Sequence, residues 1–352
     1  MAAVPELFTG YGAKSAEKWT NLEKFQFKPK TFEEFDVDIK IDFCGICGSD
    51  LHTLSGGWGG TLYPSVVGHE IVGKVARVGA KVTSLNVGDI VGVGANAWSC
   101  GDCRYCKKDL EQYCPNLIET YNFTYSDGTR SWGGYADYVR VNERFVFPVP
   151  KSLDPAVVGP LFCAGLTVFS PLIRNNVTKG SRVGIIGIGG LGHLAIQFSV
   201  ALGAEVSAIS HSSRKKEDAL KMGVTNFVTL DTLPEHKRSL DLIVCTSFSK
   251  EMPLAEYLKL LDVGGTLVYV GIPEADLPSL PPTLMIGTNA ALRGSNTGSK
   301  KEVLQMLDLV EKHDIKPWVE LLPMSECSEA VQKQLRGEAR YRYVLKNDGT
   351  FD

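Results

Sequence analysis

Residues 182–197, RVGIIGIGGLGHLAIQ, place a short apolar strand, a glycine-rich turn and the start of a helix in direct succession. After the glycines, Leu191, Leu194, Ala195 and Phe198 recur at the spacing of one helix face. Further strand-like segments follow, AEVSAIS, NFVTL, DLIVCTS and GTLVYVGI, with helix-like segments between them. This alternation predicts an α/β fold with a doubly wound parallel sheet.

The first 150 residues have a different pattern. Short apolar runs such as DVDIKIDFCGI, EIVGKVARVGA and GGYADYVRV are separated by Gly, Pro and Asp, which predicts a mainly β barrel or sandwich. The pattern changes near Pro155. A last helix is expected near Ser299, where Ser299 and Glu302 can form a capping box, and the Pro-rich segment 276–284 is expected to be a loop. A chain of 352 residues is expected to form two domains.

Composition excludes several classes of function. The net charge is −3, hydrophobic residues make up 44% and charged residues 22%, which is typical of a soluble globular protein. There is no basic field for nucleic acid, and no apolar run reaches the roughly 18 residues of a membrane span. The first residues, MAAVPELFTGYG, lack the features of a signal peptide, so a cytoplasmic location is expected. In that reducing compartment, clustered cysteines bind metal more often than they form disulfides.

Four of the nine cysteines, Cys100, Cys103, Cys106 and Cys114, have the spacing C-x2-C-x2-C-x7-C. Four thiolates suit tetrahedral zinc, and a site with no open position is structural. The lobe of about residues 95–116 has few aliphatic side chains, so an ion would serve as its core. Two disulfides, free thiols or an iron–sulfur cluster are the alternatives.

A second ligand set is spread over three motifs, CGICGSDLH, GHE and CAGLT. Cys47, His69 and Cys163 each adjoin a glycine, and three protein ligands with one exchangeable position describe a catalytic zinc site. Cys44 and Cys47 could instead begin a closed cysteine-rich site, but that pairing leaves the GHE motif unexplained. Two zinc ions per chain are therefore expected.

The glycine-rich turn predicts a dinucleotide site. Gly187-x-Gly189-x-x-Gly192, with Gly190 and Leu191 between, lets the backbone approach a pyrophosphate at a helix N-terminus. An NAD enzyme carries an acid about 20 positions later, to hold the ribose hydroxyls. That place here has AISHSSRKK, which supplies Ser210, His211, Ser212 and Lys215 but no acid. Hydroxyls and cations favour the 2′-phosphate of NADP(H), although the basic residues could also be a solvated first turn of helix.

The order of CGICGSDLH, GHEIVGKVARVG, VGDIVGVG, the four-cysteine lobe, GGYADYV and GIGGLGHLAIQ resembles the zinc-containing medium-chain alcohol dehydrogenases. SCGDCRYC, CAGLTVFSPL and YRYVL are similar to the cinnamyl alcohol dehydrogenase branch. The resemblance implies a GroES-like catalytic domain formed by residues 1–155 and 296–352, and a Rossmann cofactor domain formed by residues 156–295. It assigns a catalytic zinc to Cys47, His69 and Cys163, and a structural zinc to the four clustered cysteines.

The resemblance also implies roles for neighbouring residues. Glu70 can approach the catalytic ion as an alternate ligand, whereas Cys44 is not a ligand. Ser49 is close enough in sequence to Cys47 to touch the reacting oxygen of the substrate, and His52 can pass its proton towards solvent. The remaining expectations are Asp50 as a carboxylate that positions a ligand, Trp58 as a wall of the substrate pocket, and Thr167, Gly271 and Ser295 as further cofactor-binding residues.

These observations predict interconversion of primary alcohols and aldehydes by hydride transfer with NADP(H), on aromatic, cinnamyl-type or medium-chain aliphatic substrates. One alternative is an NAD-linked polyol or alcohol dehydrogenase, which the missing acid disfavours. The other is a cofactor-binding relative without turnover, which the complete set of ligands and relay residues disfavours. Relatives are often dimers joined through the edge of the cofactor-domain sheet, so a homodimer is expected, with no nucleic-acid or membrane partner.

Overall fold

The computed structural model describes residues 4–351. The chain divides into two compact units. The first, called here the β-rich unit, comprises the described part of residues 1–163, residues 298–311 and the described part of residues 316–352. The second, called the parallel-sheet unit, comprises residues 164–297 and 312–315. The family-based domain limits at 155/156 and 295/296 stay a prediction.

The strands cover most of the segments that the sequence marks as apolar. In chain order they are β1 (Phe8–Gly12), β2 (Glu23–Phe27), β3 (Asp36–Gly45), β4 (Glu70–Val78), β5 (Ile90–Val93), β6 (Asn96–Trp98), β7 (Ile118–Glu119), β8 (Tyr138–Asn142), β9 (Val146–Pro148), β10 (Arg182–Ile186), β11 (Glu205–Ser210), β12 (Asn226–Thr229), β13 (Leu240–Cys245), β14 (Leu261–Tyr269), β15 (Ala291–Gly294), β16 (Val319–Pro323) and β17 (Arg342–Lys346).

The helices are concentrated after residue 150. They are α1 (Gly48–Ser55), α2 (Pro155–Val158), α3 (Ala164–Arg174), α4 (Gly192–Ala201), α5 (Lys216–Lys221), α6 (Leu254–Leu258), α7 (Thr283–Ile286), α8 (Lys300–His313) and α9 (Cys327–Leu335). No single helix within residues 4–351 is both long and apolar enough to cross a membrane. A bent pair, Pro155–Phe162 with Ala164–Arg174, reaches the required length and composition, and its residues are largely buried.

The main sheet of the β-rich unit has the order β16-β17-β3-β4-β5-β9, and β8 pairs with β3. All these pairs are antiparallel except β16 with β17. Val37, Ile39 and Ile41 alternate along β3 and are fully buried, so one side of this strand forms the centre of the core. Because β17 pairs with β3, the C-terminal part of the chain completes the sheet that the N-terminal part begins.

The parallel-sheet unit contains one six-stranded sheet of order β12-β11-β10-β13-β14-β15, in which every pair is parallel. Counted from β10, this is the order 3-2-1-4-5-6 of the doubly wound dinucleotide-binding fold, so the predicted fold class is confirmed. Val183, Ile185 and Val244 are fully buried, as expected for strands covered on both sides. In such sheets, ligands bind outside the carboxyl ends of the strands.

Three local predictions have different outcomes. The capping box at Ser299 is confirmed, because its N–H donates to Glu302 Oε2 at 2.8 Å and its Oγ accepts from the Glu302 N–H at 3.3 Å. The helix that it begins is not the last one, however, because α9 follows. The predicted loop at 276–284 is wrong at its end, where α7 begins at Thr283. The all-β assignment of the first 150 residues is also incomplete, since α1 interrupts it.

Candidate active site and metal centres

Cys47, His69 and Cys163 converge in the β-rich unit. Cys47 lies between β3 and α1, His69 directly precedes β4, and Cys163 ends the turn that follows α2. Their ligand atoms all lie within 4.8 Å of one another, and the two Sγ atoms are 3.8 Å apart. All three side chains are buried, and His69 Nε2 has no hydrogen-bond partner among the described residues. A buried imidazole nitrogen without a partner, beside two thiols, is a donor set that fits Zn²⁺.

The electrostatics of this cluster favour a cation. Burial alone would lower the pKa of His69, but the neighbouring charges of Asp50 and Cys47 raise it to about 9. The hydrogen bond from the Cys163 thiol holds the pKa of Cys47 well below its usual range, which favours the thiolate. The negative charges that favour a protonated His69 would also attract a metal ion. The thiolate is the form of cysteine that binds metals.

Asp50 joins the two segments that carry Cys47 and His69. Its carboxylate is fully buried and accepts the N–H of Cys47 at 2.8 Å, the N–H of Gly68 at 3.1 Å and the O–H of Tyr135 at 3.2 Å. The first of these bonds belongs to the capping box that begins α1. The residue expected to position a ligand therefore contacts the backbone on both sides of the cluster.

The two predicted relay residues lie on α1, three residues apart, and neighbours at this spacing share one side of a helix. Ser49 Oγ lies 3.7 Å from Cys47 Sγ, which puts the hydroxyl beside the metal-ligand cluster. His52 stacks on Trp58, with ring centroids 4.9 Å apart and planes 21° apart. Trp58 is 38% exposed, so solvent reaches the indole of this stacked pair.

The Glu70 carboxylate is held in an ion pair and does not point freely towards the Cys47, His69 and Cys163 cluster. It is fully buried at the first position of β4, and Arg342 Nη2 donates to its Oε1. Glu70 Oε2 and Arg342 Nε have no hydrogen-bond partner among the described residues. Burial raises the pKa of Glu70, and the positive charge of Arg342 opposes that shift. The expected alternate ligand is thus an ion-paired carboxylate adjacent in sequence to His69.

The four clustered cysteines also converge. Their Sγ atoms lie within 4.8 Å of one another, with Cys100 Sγ 3.5 Å from Cys114 Sγ and 4.0 Å from Cys106 Sγ. A tetrahedron of sulfurs at Zn–S bonds of about 2.3 Å has edges of about 3.8 Å, so zinc fits these positions. The backbone N–H groups of Asp102 and Cys103 lower the pKa of Cys100 to about 6, whereas burial raises the pKa of Cys114 to about 12.

The glycine-rich turn has the geometry of a phosphate cradle. Gly187 follows β10 with a φ of +88°, and a Cβ at Gly192 would lie 1.7 Å from the Gly187 carbonyl oxygen. Only glycine, which has no Cβ, allows the start of α4 to lie this close to the end of β10. A Cβ at Gly189 would meet nothing within 4 Å, so open space adjoins the turn where a pyrophosphate would lie. Gly190 and Leu191 continue the turn into α4, which begins at Gly192.

Residues that would distinguish NADP from NAD lie beside this turn. β11 ends at Ser210 and pairs with β10, and Lys215 Nζ donates to the carbonyl oxygen of Ile188 at 2.8 Å. The Lys215 ammonium is therefore held over the glycine-rich turn. Ser212 N–H donates to Ser210 Oγ at 3.4 Å, and His211 is exposed.

The other expected cofactor residues are more widely spread. Gly271 lies two residues beyond β14, and Ser295 directly follows β15, at the carboxyl edge of the same sheet. Ser295 Oγ accepts a hydrogen bond from Arg174 Nη1 at 3.3 Å. Thr167 is buried within α3, which packs against α4, and does not lie at a strand end.

Four residues near the Cys47, His69 and Cys163 cluster were not singled out from the sequence, namely Arg342, Tyr135, Tyr121 and Glu119. Arg342 pairs with Glu70, and Tyr135 donates to Asp50. The Tyr121 ring stacks on His69, and Glu119 is close enough for its charge to act on that imidazole. Arg342 belongs to YRYVL and Tyr135 to GGYADYV, two of the motifs that carry the resemblance to the alcohol dehydrogenases. Tyr121 and Glu119 lie in no such motif.

Comparison with known proteins gives a consistent result. Residues 33–151 match the family described as "Alcohol dehydrogenase GroES-like domain", and residues 190–312 match "Zinc-binding dehydrogenase". The Saccharomyces cerevisiae protein named NADP-dependent alcohol dehydrogenase 6 is 45% identical over 351 residues, which cover 97% of each chain.

Solved structures agree with the sequence matches. A cinnamyl alcohol dehydrogenase from Sorghum bicolor superposes with a TM-score of 0.92 at 34% identity, covering 97% of each chain. The enzyme of the same name from Helicobacter pylori, complexed with NADP(H), superposes with a TM-score of 0.90 at 37% identity, covering 97% of this chain and 98% of that one. These matches extend over both units. The chain therefore belongs to the zinc-dependent medium-chain alcohol dehydrogenases, and within them to the cinnamyl alcohol dehydrogenase branch.

Proposed function

We propose that this protein interconverts primary alcohols and aldehydes, of aromatic, cinnamyl-type or medium-chain aliphatic structure, with NADP(H) as hydride carrier. The observation that carries the proposal is the buried Cys47, His69 and Cys163 cluster, with the Ser49 hydroxyl beside it. The bound zinc would supply a Lewis acid that polarises the carbonyl oxygen of the substrate.

The chain's own residues would perform the proton transfer. Ser49 Oγ would donate a proton to the oxygen of the substrate as hydride reaches its carbon, and would recover that proton through His52. His52 lies one helical turn further along α1 and half-exposed, so it can exchange protons with solvent. Asp50 would hold Cys47 and the Gly68–His69 segment in place through its three hydrogen bonds. The ion pair with Arg342 would keep the Glu70 carboxylate ionised next to His69.

A panel assay tests the proposal directly. Zinc-replete protein is mixed with NADPH or NADH and a series of aldehydes, such as cinnamaldehyde, benzaldehyde and hexanal, and oxidation of the cofactor is followed. Turnover of these aldehydes supports the proposal. Binding of NADPH without turnover of any aldehyde or alcohol would instead identify a cofactor-binding relative. Preference for polyols and NADH would identify the NAD-linked alternative.

Cofactor choice gives the first prediction. We expect NADPH to exceed NADH by at least about tenfold in kcat/KM, because one charge-assisted hydrogen bond contributes about 1.5–3 kcal/mol and tenfold needs only about 1.4. Lys215→Ala should raise KM for NADPH and leave KM for NADH almost unchanged, whereas Ser210→Asp should reverse the preference. Steady-state kinetics with both cofactors measure this.

A matched control is Lys221→Ala, which removes an exposed lysine from the last turn of α5 and should change neither constant. His211 would contribute to NADPH binding only when protonated, so any contribution from it should fade as pH rises. Equal efficiency with both cofactors in the unmutated protein would show that the missing acid does not decide cofactor choice.

Metal content gives the second prediction. We expect two zinc ions per chain, and Cys103→Ser should lower the melting temperature more than it lowers kcat, because the binding energy of a structural ion is also folding energy. Elemental analysis, thermal unfolding and activity measure the three quantities. Cys327→Ser is the control, since this cysteine is buried outside both clusters and its replacement should leave both ions bound. Fully active protein with one ion per chain would contradict the prediction.

A homodimer and a cytoplasmic location complete the proposal. β15 is the edge strand of the parallel sheet, so its outer N–H and C=O groups are free to pair with a second copy. Ile286, in α7, is 80% exposed, and Ile272 is 61% exposed, so both offer apolar surface that a second copy could cover. A second copy joined along β15 would cover an apolar surface of this kind. The reducing cytoplasm would keep both cysteine clusters available for zinc.

A further inference from the structure

Tyr121 and His69 form a flat aromatic pair. Their ring centroids are 5.3 Å apart and their planes differ by 4°. The Tyr121 side chain is only 4% exposed, and its hydroxyl has no hydrogen-bond partner among the described residues. The contact with His69 is therefore made by the ring, in the offset parallel arrangement that aromatic pairs favour.

The segment that carries Tyr121 is anchored on both sides. Before it, Thr120 donates its N–H to the Ala95 carbonyl at 2.8 Å and its Oγ1–H to the Gly94 carbonyl at 2.5 Å. After it, the side-chain oxygen of Asn122 accepts the N–H of Leu62 at 2.8 Å. These bonds hold the tyrosine ring on a fixed support rather than on a mobile loop.

A histidine ring can rotate about its χ2 torsion, which explains why a fixed aromatic neighbour matters for a histidine ligand. The terminal χ2 torsion of histidine is broad, so rotamer preference alone does not fix the plane of the ring. A neighbouring ring in a parallel stack blocks rotation of the imidazole out of its plane and leaves its edge open. His69 Nε2 is buried and has no hydrogen-bond partner among the described residues, and a nitrogen of this ring lies within 4.8 Å of the thiols of Cys47 and Cys163.

We propose that Tyr121 is a positioning residue for the catalytic metal: its ring fixes the plane of His69 so that Nε2 stays directed at the ion held with Cys47 and Cys163. The role belongs to the ring and not to the hydroxyl. The inference rests on the proposed role of His69 as a metal ligand.

Three variants separate ring from hydroxyl. Tyr121→Phe keeps the stack and removes a hydroxyl that lies near enough to Asp50 to interact with its charge but makes no hydrogen bond among the described residues, so it should behave like the unmutated protein. Tyr121→Leu removes the stack, and Tyr121→Met does so with an unbranched side chain should the leucine variant fail to fold. Tyr269→Leu is the matched control, because Tyr269 is also buried with an unpartnered hydroxyl but lies in the parallel-sheet unit, outside both metal-ligand clusters.

The experiment exchanges the catalytic ion for Co²⁺ and records its d–d absorption, which reports the geometry of the ligands independently of activity. Bands that disappear in Cys163→Ser are assigned to this site. Tyr121→Leu or Tyr121→Met should shift or broaden these bands and speed zinc release to a chromophoric chelator by about two- to tenfold, the range that an aromatic pair supports. Tyr121→Phe and Tyr269→Leu should leave both readouts unchanged.

Three other outcomes would each overturn the proposal. Unaltered bands and unaltered zinc release in both Tyr121→Leu and Tyr121→Met would show that the stack does not position His69. Equal effects in Tyr121→Phe and Tyr121→Leu would assign the role to the hydroxyl instead. Cobalt bands that are insensitive to Cys163→Ser in the unmutated background would remove the metal assignment itself, which is a failure of the proposed function and is distinct from a failure of the stack.

Discussion

Ser49→Ala is expected to lower kcat by roughly 10²–10⁴-fold, the usual contribution of a positioned proton-transfer group, while zinc and cofactor still bind. The structure puts this hydroxyl 3.7 Å from Cys47 Sγ and one helical turn before His52. Alanine keeps α1 intact, because the N-terminal cap of this helix comes from Cys47 and Asp50. The loss should therefore be chemical and not structural.

The measurement is kcat and KM for aldehyde reduction, with zinc content and NADPH binding determined on the same preparation. Ser55→Ala is the matched control, since this serine ends the same helix and its Oγ bonds only backbone groups, donating to the His52 carbonyl at 3.1 Å and accepting the Gly57 N–H at 3.2 Å. It should retain nearly full activity. His52→Ala should lose less than Ser49→Ala, because water can replace an outer member of the relay. Full turnover in Ser49→Ala would remove the serine from the mechanism.

The features that could be predicted from the sequence are those that depend on short spacings. The glycines at 187 and 192 are required because a strand, a turn and a helix must pass within van der Waals distance of each other, and the structure gives that close approach. The four cysteines of the lobe span only fifteen residues, so few folds of the segment leave them apart. In both cases the site requires one residue type, glycine or cysteine, and the shortness of the segment fixes how far apart those residues can be in sequence.

α1 was missed because it is short. A helix of eight residues makes about two turns, too few for a periodic apolar pattern to stand out from the alternating segments on either side. Its start is set by the Asp50 carboxylate, which accepts the Cys47 N–H, and its end by Gly56, which has a φ of +72°. These capping residues are present in GSDLHTLSG, but the same residues also occur in turns.

Contacts between distant segments could not be predicted from one sequence. Tyr121 reaches His69 only because β7 pairs with β6 and the following residues continue past the cluster. Arg342 and Glu70 are separated by 272 positions, and meet because β3 lies between β17 and β4. A pattern of alternating burial predicts which side of a strand faces the core, but not which charged residue from elsewhere in the chain neutralises a carboxylate there.

The Glu70 and Arg342 pair leads to the largest expected loss of stability. Arg342→Met is expected to lower the free energy of unfolding by about 3–5 kcal/mol, the usual cost of leaving one charge of a buried pair uncompensated. Glu70 is fully buried and Arg342 is 3% exposed, so water cannot replace the lost partner. The carboxylate packs directly against Gly45 of β3, where an added Cβ would lie 2.0 Å from Glu70 Oε2.

A double-mutant cycle in urea, on zinc-replete protein, distinguishes a buried charge from a simple loss of packing. If the uncompensated carboxylate is the cause, Arg342→Met combined with Glu70→Leu should recover much of the stability lost in Arg342→Met alone, since apolar replacement of a whole buried pair is often nearly neutral. Arg336→Met is the control. Arg336 pairs with Glu329 and Glu338 at an exposed site, where ion pairs contribute about 0–1 kcal/mol. A loss below about 1 kcal/mol in Arg342→Met would contradict the argument, because it would show that the Glu70 carboxylate does not depend on Arg342 for compensation.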